Sequence, residues 1–240
     1  MRVGVVCEGR TDFPAITEFF GAYLCELGVD AKFMPLFPQM DNTRSGGGWA
    51  NVLIWLSKNP SNVRINKYFG GGIFGGDLAT EPLDVILIHL DADVVEDNSF
   101  KKYVEKNYEF KFGPCLTAGD RGGIISTVLN MAADVDALSL ADRRRHLVAT
   151  AVESTETWCV AAYSPEQQDW ESLRGNDLVN LFMKALEASE SRVVQDVYQN
   201  VNKNYHRRNA FCKKHASNYD RIRNTCASFR TICDGFQDLL

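Results

Sequence analysis

The sequence contains no long apolar segment. None of its hydrophobic runs approaches the roughly 20 residues that a membrane-spanning helix requires, and the apolar part of the N-terminus is shorter than that of a secretory signal. We therefore expect a cytoplasmic protein without a membrane partner.

Closely spaced cysteine pairs are absent as well. The seven cysteines are odd in number and scattered, and no two of them form a CxxC motif, so a disulfide framework is not indicated. The glycine turn at residues 8–12 matches neither a Walker loop nor a dinucleotide-binding fingerprint. These absences argue against a secreted disulfide-rich protein and against nucleotide hydrolysis by this chain.

The charge is unevenly distributed. The formal net charge is −5 and the isoelectric point is near 5.4, which argues against nonspecific coating of nucleic acid. Between positions 201 and 231, however, eight lysines and arginines accompany a single acid, a local balance of +7. This pattern is typical of a phosphate-contacting surface, and the candidate contacts are Arg207, Arg208, Lys213 and Lys214. A solvated helix face with its aromatic residues turned to the core is the alternative.

The stretch at residues 84–93, DVILIHLDAD, contains four large apolar residues in a row before two aspartates. Such an unbroken run is typical of a strand buried on both faces of a parallel sheet. Strands are also predicted at 2–7, 31–37 and 146–152, and an amphipathic helix separates the first two. Because a strand–helix–strand unit favours parallel pairing, we expect an α/β fold with a mainly parallel sheet flanked by helices.

Further helices are predicted from apolar periodicity. They cover residues 49–58, 100–112, 124–133, 177–187 and 193–205. The glycine-containing stretch at 117–123, TAGDRGG, is typical of a turn before the helix at 124. Two glycine clusters between 38 and 82 indicate either a mobile loop over the sheet edge or a tolerated surface insertion.

Acidic residues follow three of the predicted strands. Glu8 follows the first strand, Asp91 and Asp93 follow the central run, and Glu153 and Glu156 follow the strand at 146–152. Because the carboxyl ends of parallel strands meet at one edge of the sheet, we expect these side chains to lie together. Like charges at this density require compensation, and carboxylate oxygens suit Mg²⁺ or Mn²⁺. The alternative to a metal site is that these acidic residues belong to ordinary strand-to-loop turns, in which aspartates are common.

Two of these motifs carry a family resemblance. EGxTD at residues 8–12, followed by Asp91-x-Asp93 after a hydrophobic strand, resembles the TOPRIM domain of topoisomerases, bacterial primases and overcoming-lysogenization-defect nucleases. The chain is similar over nearly its whole length to small stand-alone TOPRIM-like proteins of bacterial genomes. The shared layout includes an ExxExW segment, here 153–158, and a late Ser-Phe pair in a basic C-terminal region, here Ser228-Phe229.

The resemblance implies a Rossmann-like TOPRIM core over residues 1–165 and a helical, basic region over 166–240 packed on that core. It implies Mg²⁺-dependent cleavage of nucleic-acid phosphodiester bonds, with Glu8, Asp91 and Asp93 as catalytic and metal-binding residues. Glu153 and Glu156 are predicted to hold a second ion. Asp12 is expected mainly to cap the first helix.

Similar proteins lie beside ATPases in phage-defence loci, so the resemblance also implies a role in anti-phage defence with a separate ATPase partner. Two alternatives remain open: a non-catalytic TOPRIM-fold subunit of a larger complex, and a small-molecule phosphohydrolase. The sequence leaves open whether the substrate is DNA or RNA, and whether the protein forms oligomers.

Overall fold

The computed structural model describes residues 1–38, 47–70, 81–114, 117–190 and 204–240. Within them the chain forms a four-stranded sheet in which every neighbouring pair is parallel. The strands are β1 (Arg2–Val6), β2 (Lys32–Phe37), β3 (Val85–Asp91) and β4 (His146–Ala151), in the spatial order β2-β1-β3-β4. The predicted α/β fold with a parallel sheet is confirmed.

Helices flank the sheet. They are α1 (Asp12–Glu26), α2 (Trp49–Lys58), α3 (Ser61–Arg64), α4 (Asn98–Tyr108), α5 (Ala118–Ala132), α6 (Leu140–Arg144), α7 (Thr155–Tyr163), α8 (Gly175–Ser189), α9 (Tyr205–His215), α10 (Tyr219–Thr225) and α11 (Ala227–Gln237). Within the described ranges, no helix has both the length and the apolar character needed to cross a membrane.

The two faces of the sheet belong to two separate cores. Val85 and Leu87 of β3 pack with α1, α7 and the C-terminal helices, whereas Ile86 and Ile88 pack with α2, α4 and α5. All four side chains are fully buried. Burial on both faces explains why this run contains no alternating polar residues.

The C-terminal helices pack on the first of these cores. Phe229 of α11 stacks on Phe20 of α1 with ring centroids 4.4 Å apart, and Trp158 of α7 meets both rings edge-on. Helix α9 lies against α1 and α7. This packing places the basic helix α9 against α1, which follows β1, and against α7, which follows β4.

Helix α5 begins earlier than the sequence predicts. Thr117 accepts the backbone N–H of Asp120, and the Asp120 carboxylate accepts the backbone N–H of Thr117 at 2.9 Å, which completes a capping box. Gly122 lies close to Val152, the residue that follows β4, and an added Cβ would come within 3.2 Å of its side chain. The prediction of a turn over 117–123 is therefore wrong, and the early start places Arg121 on the helix.

The other predicted helices agree with the structure to different extents. The prediction at 49–58 is confirmed by α2, and α8 contains the segment predicted at 177–187. The segment predicted at 100–112 forms α4, which starts at Asn98 and ends at Tyr108. The prediction at 193–205 and the two glycine clusters lie largely outside the described residues.

Candidate functional site

The sheet brings the predicted acidic residues to one edge. β1 pairs with β3 through Val6 and Ile88, and β3 pairs with β4 through Asp91 and Ala151. The carboxyl ends of these strands therefore lie side by side. The side chains that interact electrostatically there, which we call the carboxylate cluster, are Glu8, Asp12, Asp91, Asp93, Glu153 and Glu156.

Asp91 lies at the centre of the carboxylate cluster. Burial raises the pKa of Asp91 well above its ordinary value, and four acidic neighbours raise it further. These neighbours are Asp12, Glu8, Asp93 and Glu156. Within the described part of the chain, Asp91 Oδ1 has no hydrogen-bond donor, and no lysine or arginine pairs with this carboxylate. A proton or a bound cation is therefore needed to balance its charge.

The basic side chain nearest to Asp91 does not supply that balance. His89 lies on the same strand and places Nε2 3.5 Å from Asp91 Oδ1. Because the ring is fully buried beside Trp158, the pKa of His89 falls to about 3, and the imidazole is neutral at pH 7. The pair is not an ion pair.

Asp12 belongs to the carboxylate cluster as well as to the start of α1. Its carboxylate accepts the N–H of Gly9 at 2.7 Å and the hydroxyl of Thr155 at 2.9 Å. Burial and the nearby Glu156 raise the pKa of Asp12 to about 6, although Arg208 opposes the shift. Thr11 is the N-cap residue of α1 and makes no side-chain capping hydrogen bond, so the predicted cap at Asp12 is wrong. The Asp12 carboxylate instead binds Gly9 and Thr155 inside the candidate site.

Asp93 lies at the solvent-exposed rim of the carboxylate cluster. Although Asp93 is exposed, the protein removes part of the hydration of its carboxylate. This partial desolvation raises the pKa of Asp93 to about 6. Glu153, Glu156 and Asp12 add to this shift. Asp93 is thus the member of the cluster that a ligand in solution reaches most directly.

Glu156 has a buried counter-ion. Arg208 of α9 is 1% exposed and its Nη2 donates to Glu156 Oε1. Burial opposes ionisation of Glu156, but Arg208 outweighs this effect and holds the pKa of the carboxyl below its usual value. Arg208 therefore does not lie on the open phosphate-contacting surface that the sequence predicts for it; packing of α9 turns it into the site.

Glu153 has a second buried counter-ion. Arg121 of α5, also 1% exposed, donates through Nη1 to Glu153 Oε2, while the N–H of Gly175 donates to Oε1 at 2.9 Å. Glu153 has a φ of 64°, a left-handed conformation that L-residues seldom adopt, and its carbonyl accepts the N–H of Asp93 at 3.1 Å. The turn after β4 is thus held by polar contacts from three segments.

Arg121 is the functional candidate that the sequence alone did not reveal. Its Nε and Nη2 are buried and have no hydrogen-bond partner among the described residues. The capping box before it was the available sequence signal, because a helix start at 117 places the arginine opposite the end of β4.

The remaining basic candidates occupy different surroundings. Arg207 donates two hydrogen bonds to Glu190, each 2.6 Å long, so its guanidinium is already committed to a carboxylate. Lys213 is exposed, and Lys214 donates to the Ser189 carbonyl at 2.6 Å. The two lysines keep the predicted accessibility to a phosphate backbone.

The metal prediction can be compared with this geometry. In the described ranges, no group of three or more His, Cys, Asp or Glu side chains is placed so that it could hold a metal ion as it stands. The chemistry of Glu8, Asp91 and Asp93 nevertheless fits a hard divalent cation, because all three present carboxylate oxygens and Asp91 Oδ1 lacks a donor. Ion binding at this edge therefore requires rotation of side chains.

Comparisons of this chain with family models, with curated proteins and with solved structures find no match.

Proposed function

We propose that this protein is a Mg²⁺-dependent nuclease of the TOPRIM type. The observation that carries the proposal is Asp91 at the carboxyl edge of a parallel sheet. Its side chain is only 14% exposed, four acidic side chains surround it, and it has no lysine or arginine partner in the described residues. A divalent cation is the simplest group that neutralises such a cluster at pH 7, and a bound divalent cation is also able to promote phosphodiester cleavage. The order of the motifs in the chain supports the TOPRIM assignment.

The proposal assigns roles to the acidic residues that follow β1 and β3. Asp91 and Glu8 hold the ion, and Asp93, at the exposed rim, contributes a ligand directly or through water. The bound ion supplies charge neutralisation for the phosphate and lowers the pKa of a coordinated water. Glu8, which lies beside Asp91, is also a candidate for proton transfer.

The two glutamates that follow β4 act differently in this scheme. Arg208 keeps Glu156 ionised, and the buried Arg121 binds Glu153, so both carboxylates are fixed in position. A second ion at these glutamates remains a prediction, and it would have to compete with two buried guanidinium groups. The partner ATPase and the role in anti-phage defence are also parts of the proposal that rest on the family resemblance.

Cleavage assays test the proposed function. Wild-type protein is incubated with plasmid, single-stranded DNA and bulk tRNA in Mg²⁺ or Mn²⁺, beside the Asp91→Asn and Glu8→Gln variants. We expect cleavage of one substrate class by the wild type, its loss in chelator, and at least a hundredfold lower rate in both variants. The exposed Asp30→Asn variant is the matched control and should cut as the wild type does. Equal cutting by Asp91→Asn and wild type would refute the nuclease.

One observation favours a small phosphoester as the alternative substrate. Arg208 is buried and Arg207 is bound to Glu190, so two of the four predicted phosphate-contacting cations are engaged within the protein. A phosphohydrolase acting on nucleotides would not need the polymer contact. Replacing Lys213 and Lys214 together by glutamate separates the two activities, because it should weaken cleavage of a polymer and leave nucleotide turnover unchanged.

A further inference from the structure

A histidine interrupts the apolar side of β3. His89 alternates with Val85 and Leu87 along the strand, so the three side chains point to the same face of the sheet. The imidazole is fully buried, and its ring meets Trp158 of α7 edge-on with centroids 5.7 Å apart. An apolar residue could fill this place without burying polar atoms, so packing alone does not account for a histidine here.

The ring nitrogens of His89 are both unsatisfied. Neither Nδ1 nor Nε2 has a hydrogen-bond partner in the described residues, and a buried polar group in that state costs about 1–3 kcal/mol. Nε2 lies 3.5 Å from Asp91 Oδ1, a buried oxygen that likewise has no donor among those residues. Because residues two apart on a strand point the same way, the strand itself brings these two atoms together. One hydrogen bond between them would satisfy both.

The present separation is slightly too long for that bond. N–H···O hydrogen bonds measure roughly 2.7–3.2 Å, so the Asp91 carboxylate must rotate a little toward the ring. No lysine or arginine of the described residues ties this carboxylate to its present orientation. Binding of an ion at this edge also requires side chains to rotate, as described above, so the two adjustments are compatible.

The two oxygens of Asp91 have different surroundings. Oδ1 is buried on the side of His89, although the side chain as a whole is 14% exposed. Oδ2 is therefore the polar atom of this carboxylate that a ligand can reach. Carboxylates that bind metal ions are commonly hydrogen-bonded by a neighbouring group, which orients them for the ion.

We propose that His89 is a positioning residue of the metal site, whose Nε2–H donates to Asp91 Oδ1 and so leaves Oδ2 to the cation. The part of this inference that concerns the cation rests on the proposed function, whereas the hydrogen bond does not. A neutral imidazole carries one N–H, and only a proton on Nε2 gives Asp91 a donor. Such a bond orients the carboxylate without neutralising it, so a cation is still required.

His146 provides an internal reference with the opposite tautomer. Its Nδ1 lies 2.8 Å from the carbonyl oxygen of Asp142, which can only accept, and its Nε2 accepts the Nε–H of Arg64 at 3.2 Å. The proton of His146 therefore belongs on Nδ1. Since both rings are buried, the two histidines can be compared within one protein.

NMR of the wild-type protein in chelator tests the hydrogen bond. The histidines are labelled with ¹⁵N, and spectra that correlate the ring nitrogens with the carbon-bound ring protons show which nitrogen is protonated. The signals are assigned with His89→Gln and His146→Gln. We expect a proton on Nε2 of His89 and on Nδ1 of His146. An unprotonated Nε2 in His89 would overturn the inference, and the wild-type spectrum decides this even where a variant fails to fold.

Mg²⁺ affinity tests the positioning role. The dissociation constant is measured by calorimetry for the wild type, His89→Phe and His89→Gln. Phenylalanine keeps a flat ring but has no donor, so we expect its dissociation constant to be at least about tenfold higher. The amide N–H of glutamine replaces Nε2–H and should restore binding close to that of the wild type. His206→Phe makes the same substitution at an exposed position of α9 and should bind Mg²⁺ as the wild type does.

The outcomes for His89 and for the proposed function are separable. Unchanged affinity in His89→Phe, or equal weakening in His89→Phe and His89→Gln, would overturn the positioning role while the metal site stands. If Nε2 is protonated but the wild type binds no Mg²⁺, the hydrogen bond stands and the proposed function falls.

Discussion

Four members of the carboxylate cluster form two pairs with the same formal charge and different counter-ions. We call Glu153 and Glu156 the paired half, and Asp91 and Asp93 the unpaired half. After β4, Glu153 and Glu156 each bind a buried arginine that another element delivers. After β3, Asp91 and Asp93 have no lysine or arginine partner in the described residues, and the pKa of each is raised. The chain thus neutralises one half of its acidic edge by itself and leaves the other half to protons or to a cation.

This difference distinguishes carboxylates that are held in position from carboxylates that are available to bind a cation. A carboxylate with a guanidinium partner is oriented and stays ionised, but it is less available as a metal ligand. A crowded carboxylate without such a partner costs stability when ionised, and a divalent ion relieves that cost. Under the proposed function, the comparison therefore favours Asp91, rather than Glu153 or Glu156, as the centre of metal binding.

Removing an arginine from the paired half should have the largest effect. Arg208→Met leaves Glu156, whose side chain is only 16% exposed, without its counter-ion. We expect a loss of about 3–5 kcal/mol in the free energy of unfolding, measured in urea. The adjacent Arg207→Met removes the less buried pair with Glu190 and should cost about 1 kcal/mol or less. Equal losses in the two variants would contradict the special role of the buried pair.

Mg²⁺ should stabilise the protein through the unpaired half. At a free concentration one hundred times the dissociation constant, one bound ion adds about 2.7 kcal/mol to the free energy of unfolding. We expect Mg²⁺ to raise the melting temperature of the wild type and to leave that of Asp91→Asn unchanged. An equal rise in both proteins would show that the ion binds elsewhere.

Neutralising Asp91 should by itself stabilise the metal-free protein. Partial burial and four acidic neighbours disfavour the ionised form of Asp91, so we expect Asp91→Asn to gain on the order of 1 kcal/mol in chelator at pH 7. The matched change in the paired half, Glu156→Gln, should instead destabilise, because it leaves Arg208 without its partner. A loss of stability in Asp91→Asn would contradict this account of the unpaired half.

The smallest expected effect is a pH dependence at Asp93. In the unfolded chain this carboxyl ionises near pH 3.8, whereas in the folded protein it keeps its proton until about pH 6. The wild type should therefore lose stability relative to Asp93→Asn as the pH rises from about 4 to 6, with a constant difference above that range. Melting temperatures of the two proteins in chelator, compared at each pH, check this. A difference that does not vary with pH would contradict the raised pKa.

The strands were predictable from the sequence because local signals suffice for them. The apolar run before Asp91 has to be buried on both faces, and that requirement alone indicates a parallel sheet. The start of α5 was missed because glycines at 119, 122 and 123 outweighed the capping box in the sequence pattern. Only the contact of Gly122 with Val152 shows why glycine is suitable there.

The sequence alone placed Glu8, Asp91 and Asp93 at the ends of strands, and parallel pairing brings such ends to one edge of a sheet. The partners of the acidic residues came only from the tertiary structure. Arg121 and Arg208 lie 32 and 52 residues from the glutamates that they bind, and no local pattern encodes which of several arginines will be buried. That choice depends on how α5 and α9 pack, because a buried charge is tolerated only where packing provides its counter-ion.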